Sequence, residues 1–200
     1  MKPTECIGEQ LSFQGLERRQ VVADFSAVSV TSDAGGLLLR EVAEGSRILQ
    51  AFAACFRDHR DREQTEHSVA ELVAQRVYAL ALGYEDVNDH DELRRDPLLA
   101  TLVGKVDPTG QSRRRKPDRG KALAGKSTIN RLELADPEQA AAHRYHKIGC
   151  DGEAVDRFFV DVLLNAHETP PALLVLDLDA TDDPVHGGQE GRFFHGYYGC

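Results

Sequence analysis

HSVAELVAQRVYALALG, residues 67–83, is the stretch from which the fold class is read. Val69, Leu72, Val73, Val77 and Leu80 recur at intervals of three and four, which places them on one face of an α-helix over residues 66–82. Ser68 and Glu71 have the spacing of a capping box, in which each side chain takes the other residue's backbone N–H. Thr65 is the other start the sequence allows. Gly83 follows the last apolar residue, where a glycine's tolerance of positive φ ends a helix.

Working toward the N-terminus, RDHRDREQTEH (57–67) reads as a charged, solvated connector. Before it, Ile48, Leu49, Phe52 and Phe56 have helical spacing. Another helix carries Leu37, Leu38, Leu39, Val42 and Ala43, with Ser32 and Asp33 as candidate caps. Residues 11–31 alternate well enough for two short strands around Gly15–Arg19. Toward the C-terminus, a helix over Asn88–Arg95 ends before Pro97, and LLATLVG (98–104) is a short buried turn. Residues 106–125 form an exposed basic loop, followed by KSTINRLEL (126–134), a short helix capped by Ser127 or Thr128. Asp136-Pro137-Glu138 is a helix start, and His143 and His146 have i, i+3 spacing on that helix. A last amphipathic helix carries Val155, Phe158, Phe159, Val162 and Leu163.

LLVLDLDATDDPVHGG (173–188) is different in kind. Its apolar run is that of a buried strand, and RFFHGYYG (192–199) is a second strand that would complete a hairpin. A strand that ends in Asp177 and Asp179 admits two readings. Either the carboxylates hold a metal at the rim of a cleft, or the strand stops at an acidic, solvated turn. The expected fold is thus mainly α with small β elements. Residues 1–168 form a mostly helical N-terminal region, and residues 169–200 begin an α/β domain.

The chain has 200 residues, enough to bury a sizeable core. No apolar stretch approaches the roughly 20 residues that cross a bilayer, and MKPTECIGEQ lacks the apolar segment of a signal peptide. Cys6, Cys55, Cys150 and Cys200 form no C-x-x-C pair, so neither a zinc knuckle nor a disulfide framework is indicated, and a reducing cytoplasm is the expected compartment. No His-Glu-x-x-His, G-x-S-x-G or complete phosphate-loop motif is present.

The net charge of −9 would oppose nucleic-acid binding were it evenly spread. It is not, because nine of the 24 Lys and Arg residues and only two of the 33 Asp and Glu residues lie between positions 105 and 131. Lys105, Arg113, Arg114, Arg115, Lys116, Arg119, Lys121 and Lys126 are candidate phosphate contacts. On the following helix, Asn130 and Arg131 are side chains suited to adenine and guanine edges in a major groove.

DLDATDDPVHGGQEGRFFHGYYG (177–199) resembles the opening of the catalytic domain of DDE transposases of bacterial insertion sequences. RRQVVADFSAVSVTSDAGGLLLREV (18–42), RDPLLATLVGK (95–105) and LAGKSTINRLE (123–133) resemble the helical N-terminal region of the same group, in the same order. The resemblance implies a helical DNA-binding region before a ribonuclease-H-like α/β domain, of which only the first hairpin falls in these 200 residues. It implies metal-dependent cleavage and strand transfer in DNA transposition, with three carboxylates holding two Mg²⁺ or Mn²⁺ ions. Asp179 matches the first catalytic and metal-binding carboxylate, and Asp177, on the same strand face, is the weaker candidate ligand. The family's second Asp and its Glu have no counterpart here, so the chain is expected to be the N-terminal part of a longer transposase. The alternative is a catalytically inactive DNA-binding fragment that recognises transposon ends. The implied partners are double-stranded DNA, as terminal inverted repeats and target, and a second copy in a synaptic homodimer. The setting is cytoplasmic, at the nucleoid, with no membrane.

Overall fold

The computed structural model describes residues 10–24, 30–138, 140–178, 194 and 196. Two compact units divide at Leu163/Leu164. The first opens with an antiparallel hairpin, β1 (Leu11–Leu16) and β2 (Arg19–Ala23). Near the end of β1 the two strands run close at Gly15, where a Cβ would lie 3.0 Å from the Arg19 carbonyl oxygen. The helices α1 (Gly36–Ser46) and α2 (Ile48–Ala53) follow. The buried Arg40 of α1 donates to the carbonyls of Gln14 (2.6 Å) and Gly15 (3.2 Å), tying the hairpin to the helix.

The central helix is α3 (Val69–Ala81), which packs against α2, α5 (Pro97–Leu102) and α6 (Lys126–Glu133). The capping box is formed: the Glu71 N–H donates to the Ser68 hydroxyl at 3.2 Å, and the Ser68 N–H donates to the Glu71 carboxylate at 2.9 Å. Gly83 ends the helix region at φ +92°. Two clusters make the core, and α3 serves both. Tyr78 and Ala79 join Leu37, Leu93, Leu99 and Leu102, whereas Leu72 and Val73 join Ile129, Leu132 and Ile148. Burying each such leucine contributes about 1.5–3 kcal/mol. Leu80, expected on the buried face, is exposed because the second cluster reaches only as far as Val77.

Several local expectations are corrected. Phe56 is not helical but opens β3 (Phe56–Asp58), which pairs antiparallel with β4 (Ile148–Cys150). Residues 98–104 are not a simple turn: Asp96 caps α5 by accepting from the Leu98 and Leu99 N–H groups, with Pro97 at the first position. The helix over residues 88–95 is a 3₁₀ turn (Val87–Asp89) running into the four-residue α4 (His90–Leu93). Asp33 does not cap α1 with its side chain, because its carboxylate accepts the Tyr84 hydroxyl at 2.7 Å.

No helix forms from Asp136 among the described residues. The sequence there has no apolar stripe to bury, and the His143 ring nitrogen Nδ1 accepts the N–H groups of Tyr145 and His146, which bends the backbone into turns. The amphipathic helix is present as α7 (Gly152–Asn165), seated by a Phe158–Phe52 ring contact at 5.2 Å.

The apolar run 173–178 is not a buried strand. Leu173, Val175, Leu176 and Leu178 are 77–90% exposed, since no described strand pairs with them and a lone strand has neither hydrogen-bond partner nor cover. The rest of that expected hairpin, Asp179 included, lies outside the described residues apart from Phe194 and Gly196, neither of which is in a strand. No helix among the described residues is long and apolar enough to cross a membrane.

Candidate nucleic-acid interface

The basic loop is built around internal contacts that no charge count reveals. Its return passes so close to its start that Gly110, at φ +66°, would place a Cβ 2.6 Å from the Ala122 nitrogen. The Gly120 N–H donates to the Gly110 carbonyl at 3.1 Å and closes the loop. Asp107 knots the entry. The Ser112 N–H (2.6 Å) and the Thr109 hydroxyl (2.7 Å) donate to its carboxylate and hold its pKa well below the usual range.

The exit is held by one buried side chain, Gln75 of α3. Its amide accepts the Ala124 N–H at 2.9 Å and donates to the Ala124 carbonyl at 2.8 Å. The remaining amide N–H meets the Nδ1 atom of His90 at 2.9 Å, so both N–H groups and the carbonyl oxygen of the amide are bonded. Burial, with Arg76 nearby, lowers the His90 pKa to about 4 and keeps the ring neutral. A neutral ring accepting at Nδ1 carries its proton on Nε2, which is buried without a partner.

These contacts sort the candidate cations into two groups. Lys105 pairs with Glu71 at 2.6 Å, joining the loop to the capping box of α3. Arg113 turns inward, with Glu66 at 3.0 Å, the Lys121 carbonyl at 2.9 Å and the Nε2 atom of His67 at 2.9 Å. Burial, then the charges of Lys105, Arg113 and Arg60, pushes the His67 pKa down to about 3. Because arginine only donates, His67 Nε2 accepts and its proton sits on Nδ1. Arg114, Arg115, Lys116 and Arg119 remain exposed, and Lys121 bonds the Pro117 carbonyl at 2.8 Å.

Helix α6 follows directly. Its cap is Gly125, and neither Ser127 nor Thr128 caps it. The Asp91 carboxylate of α4 instead receives the Lys126 N–H at 3.3 Å, and Lys126 Nζ reaches Asn88 (3.0 Å) and Asp91 (3.5 Å). Ile129 and Leu132 are buried, which turns Asn130 and Arg131 to solvent. Arg76 fastens the other end of α6 through Glu133 at 2.5 Å.

Loop, α4, α6 and the segments around residues 60–67 and 144–147 enclose a cleft of about 580 Å³. Eight of its lining side chains are Arg or Lys and four are Asp or Glu. Arg113, Arg115, Lys121 and Arg131 belong to the stretch singled out by charge, but Arg60, Arg94, Arg144 and Lys147 come from outside it. Those four stand among acidic or histidine neighbours in sequence, so a contiguous charge count dilutes them. RDHRDREQTEH is correspondingly no mere connector, since it forms a wall of the cleft and buries His67.

Of these cations Arg60 pairs with Asp58 at 2.7 Å, Arg94 with Asp91 at 3.8 Å and Arg113 with Glu66 at 3.0 Å. The family model for transposase DDE domain group 1 matches residues 13–200, and the chain belongs to that family. No curated protein and no solved structure matches it. DDE transposases work with divalent metal ions, yet no three His, Cys, Asp or Glu side chains stand together as a metal site among the described residues. Asp177 is a single exposed carboxylate, too few oxygen ligands to hold Mg²⁺ or Mn²⁺ alone.

Proposed function

We propose that the first unit is the DNA-binding body of a DDE transposase that acts on the duplex ends of its own element. The gathering of cations from four separate segments around one cleft, in a chain of this family, carries the reading. The exposed Arg114, Arg115, Lys116 and Arg119 take backbone phosphates, together with Arg144 at the cleft. Asn130 and Arg131 present base-reading side chains from α6, whose buried face fixes their direction. Lys105 and Arg113 hold the loop in shape through Glu71 and Glu66. In this reading Asp179 supplies the first metal-holding carboxylate for strand cleavage and transfer, with Mg²⁺ or Mn²⁺ as the ion.

Fluorescence anisotropy on element-end duplex DNA at varied salt tests the binding. With about five phosphate contacts the log–log slope is expected near −4.5, at about 0.9 per contact. A slope near zero removes the proposal. For the chemistry, Asp179→Asn in a transposase carrying the family's downstream carboxylates should abolish Mg²⁺-dependent nicking and leave DNA binding unchanged. Undiminished nicking removes Asp179 from the reaction.

A further inference from the structure

We propose that the cleft admits one unpaired nucleotide of a DNA strand, its base stacked on Tyr145 and its phosphates held by the cations around it. The proposal rests on the DNA-binding reading above and specifies which form of DNA enters the cleft. Size is the first argument. A space of about 580 Å³ suits a single small ligand, for which pockets run from about 300 to 1,000 Å³. A duplex, whose major groove alone is about 12 Å wide, can lie across the rim but cannot enter.

Chemistry is the second. The lining is mostly polar and cationic, with one tyrosine, Tyr145, among it. Cations beside an aromatic ring fit a base with its phosphate, not a bare phosphate. Tyr145 lines the same cleft and is 56% exposed, and the Arg144 guanidinium lies over its ring, 5.1 Å from the centroid. With one face taken by Arg144, a residue this exposed has the opposite face left for stacking. Exposed aromatics in a cationic groove are how proteins hold single strands without reading their sequence. Arg115, exposed at the same space, can follow the strand's backbone.

The experiment compares two labelled DNAs by anisotropy, a blunt duplex and the same duplex with a short 3′ overhang. The wild-type chain should bind the overhang about ten-fold more tightly, since stacking of one base contributes about that factor or more. Tyr145→Phe should keep the preference and Tyr145→Ala should lose it, with the salt slope of both variants unchanged because no cation is removed. Thermal melts should coincide for all three proteins, given the exposure of Tyr145. Equal wild-type affinity for the two DNAs, or an intact preference in Tyr145→Ala, overturns the inference while leaving duplex binding standing. Failure to bind either DNA overturns the DNA-binding reading as well. Thymidine 5′-monophosphate is the third probe. If it competes as strongly as the overhang, the cleft recognises a free nucleotide and the strand is not its ligand.

Discussion

Replacing Gln75 with leucine keeps the bulk of the side chain and removes its amide. Gln75, His90 and Ala124 are 1%, 0% and 2% exposed, so water cannot substitute for what is lost. The Ala124 N–H and carbonyl lose their partners, as does His90 Nδ1. Each buried polar group left unpaired costs about 1–3 kcal/mol, and leucine returns about 1–2 kcal/mol through its apolar surface. Over three such groups the net loss is expected at about 2 kcal/mol or more, a large share of the 5–15 kcal/mol that ordinarily holds a domain folded. In urea, with a slope of about 2 kcal/mol per M, the midpoint should fall by about 1 M or more. Gln75→Glu should fare little better, because an ionised carboxylate can accept from Ala124 but cannot donate to its carbonyl. A midpoint within about 0.3 M of wild type for Gln75→Leu would refute the claim that this amide holds the loop against α3.

Arg113 and Arg115 are neighbours in one basic run with opposite expected roles. Arg113→Ala should destabilise by about 2 kcal/mol by leaving the His67 ring and the Lys121 carbonyl without their donor. Arg115→Ala should leave the stability within about 0.5 kcal/mol and make the DNA salt slope shallower by about 1. Equal melts for the two variants would contradict this division. Stability should also depend on pH through His67 and His90, whose folded pKa values of about 3 and about 4 lie below the ordinary 6.5. The unfolded chain therefore binds more protons below pH 6.5, so the contribution is complete above that value and is lost as pH falls toward 4. A loss of about 2 kcal/mol per ring, on the order of 4 kcal/mol together, is expected in urea melts between pH 7.5 and pH 5, and a flat profile over that range counts against neutral buried rings. Gly110→Ala should cost about 2 kcal/mol or more, from positive φ and the clash with the Ala122 nitrogen, and calorimetry would show it as a lowered Tm.

Legibility in the sequence followed the range of the interactions concerned. The helix over Val69–Ala81 and its Ser68–Glu71 box were readable because the apolar spacing and both capping partners lie within four residues of each other. The β1–β2 hairpin was readable for the same reason, its strands being separated by a two-residue turn. The anchoring of the α6 N-terminus was not, because the Asp91 carboxylate that accepts the Lys126 N–H lies 35 residues away. Asp136-Pro137-Glu138 misled because a start signal cannot propagate a helix that has no apolar face to bury. The run 173–178 misled in the opposite sense, because its apolar pattern demands a neighbouring strand that none of the described residues provides.

Charge shows the same divide. By itself the sequence determined that positive charge concentrates between residues 105 and 131, and that a solvated loop with a short helix carries it, because both are properties of a contiguous segment. Only the tertiary structure decided that Lys105 and Arg113 turn inward to Glu71 and Glu66. It alone brought Arg60, Arg94, Arg144, Tyr145 and Lys147 to the same cleft. Charges interact through space at ångström distances, and residues up to 87 positions apart in the chain come within that reach only after α3, α4 and α6 have packed.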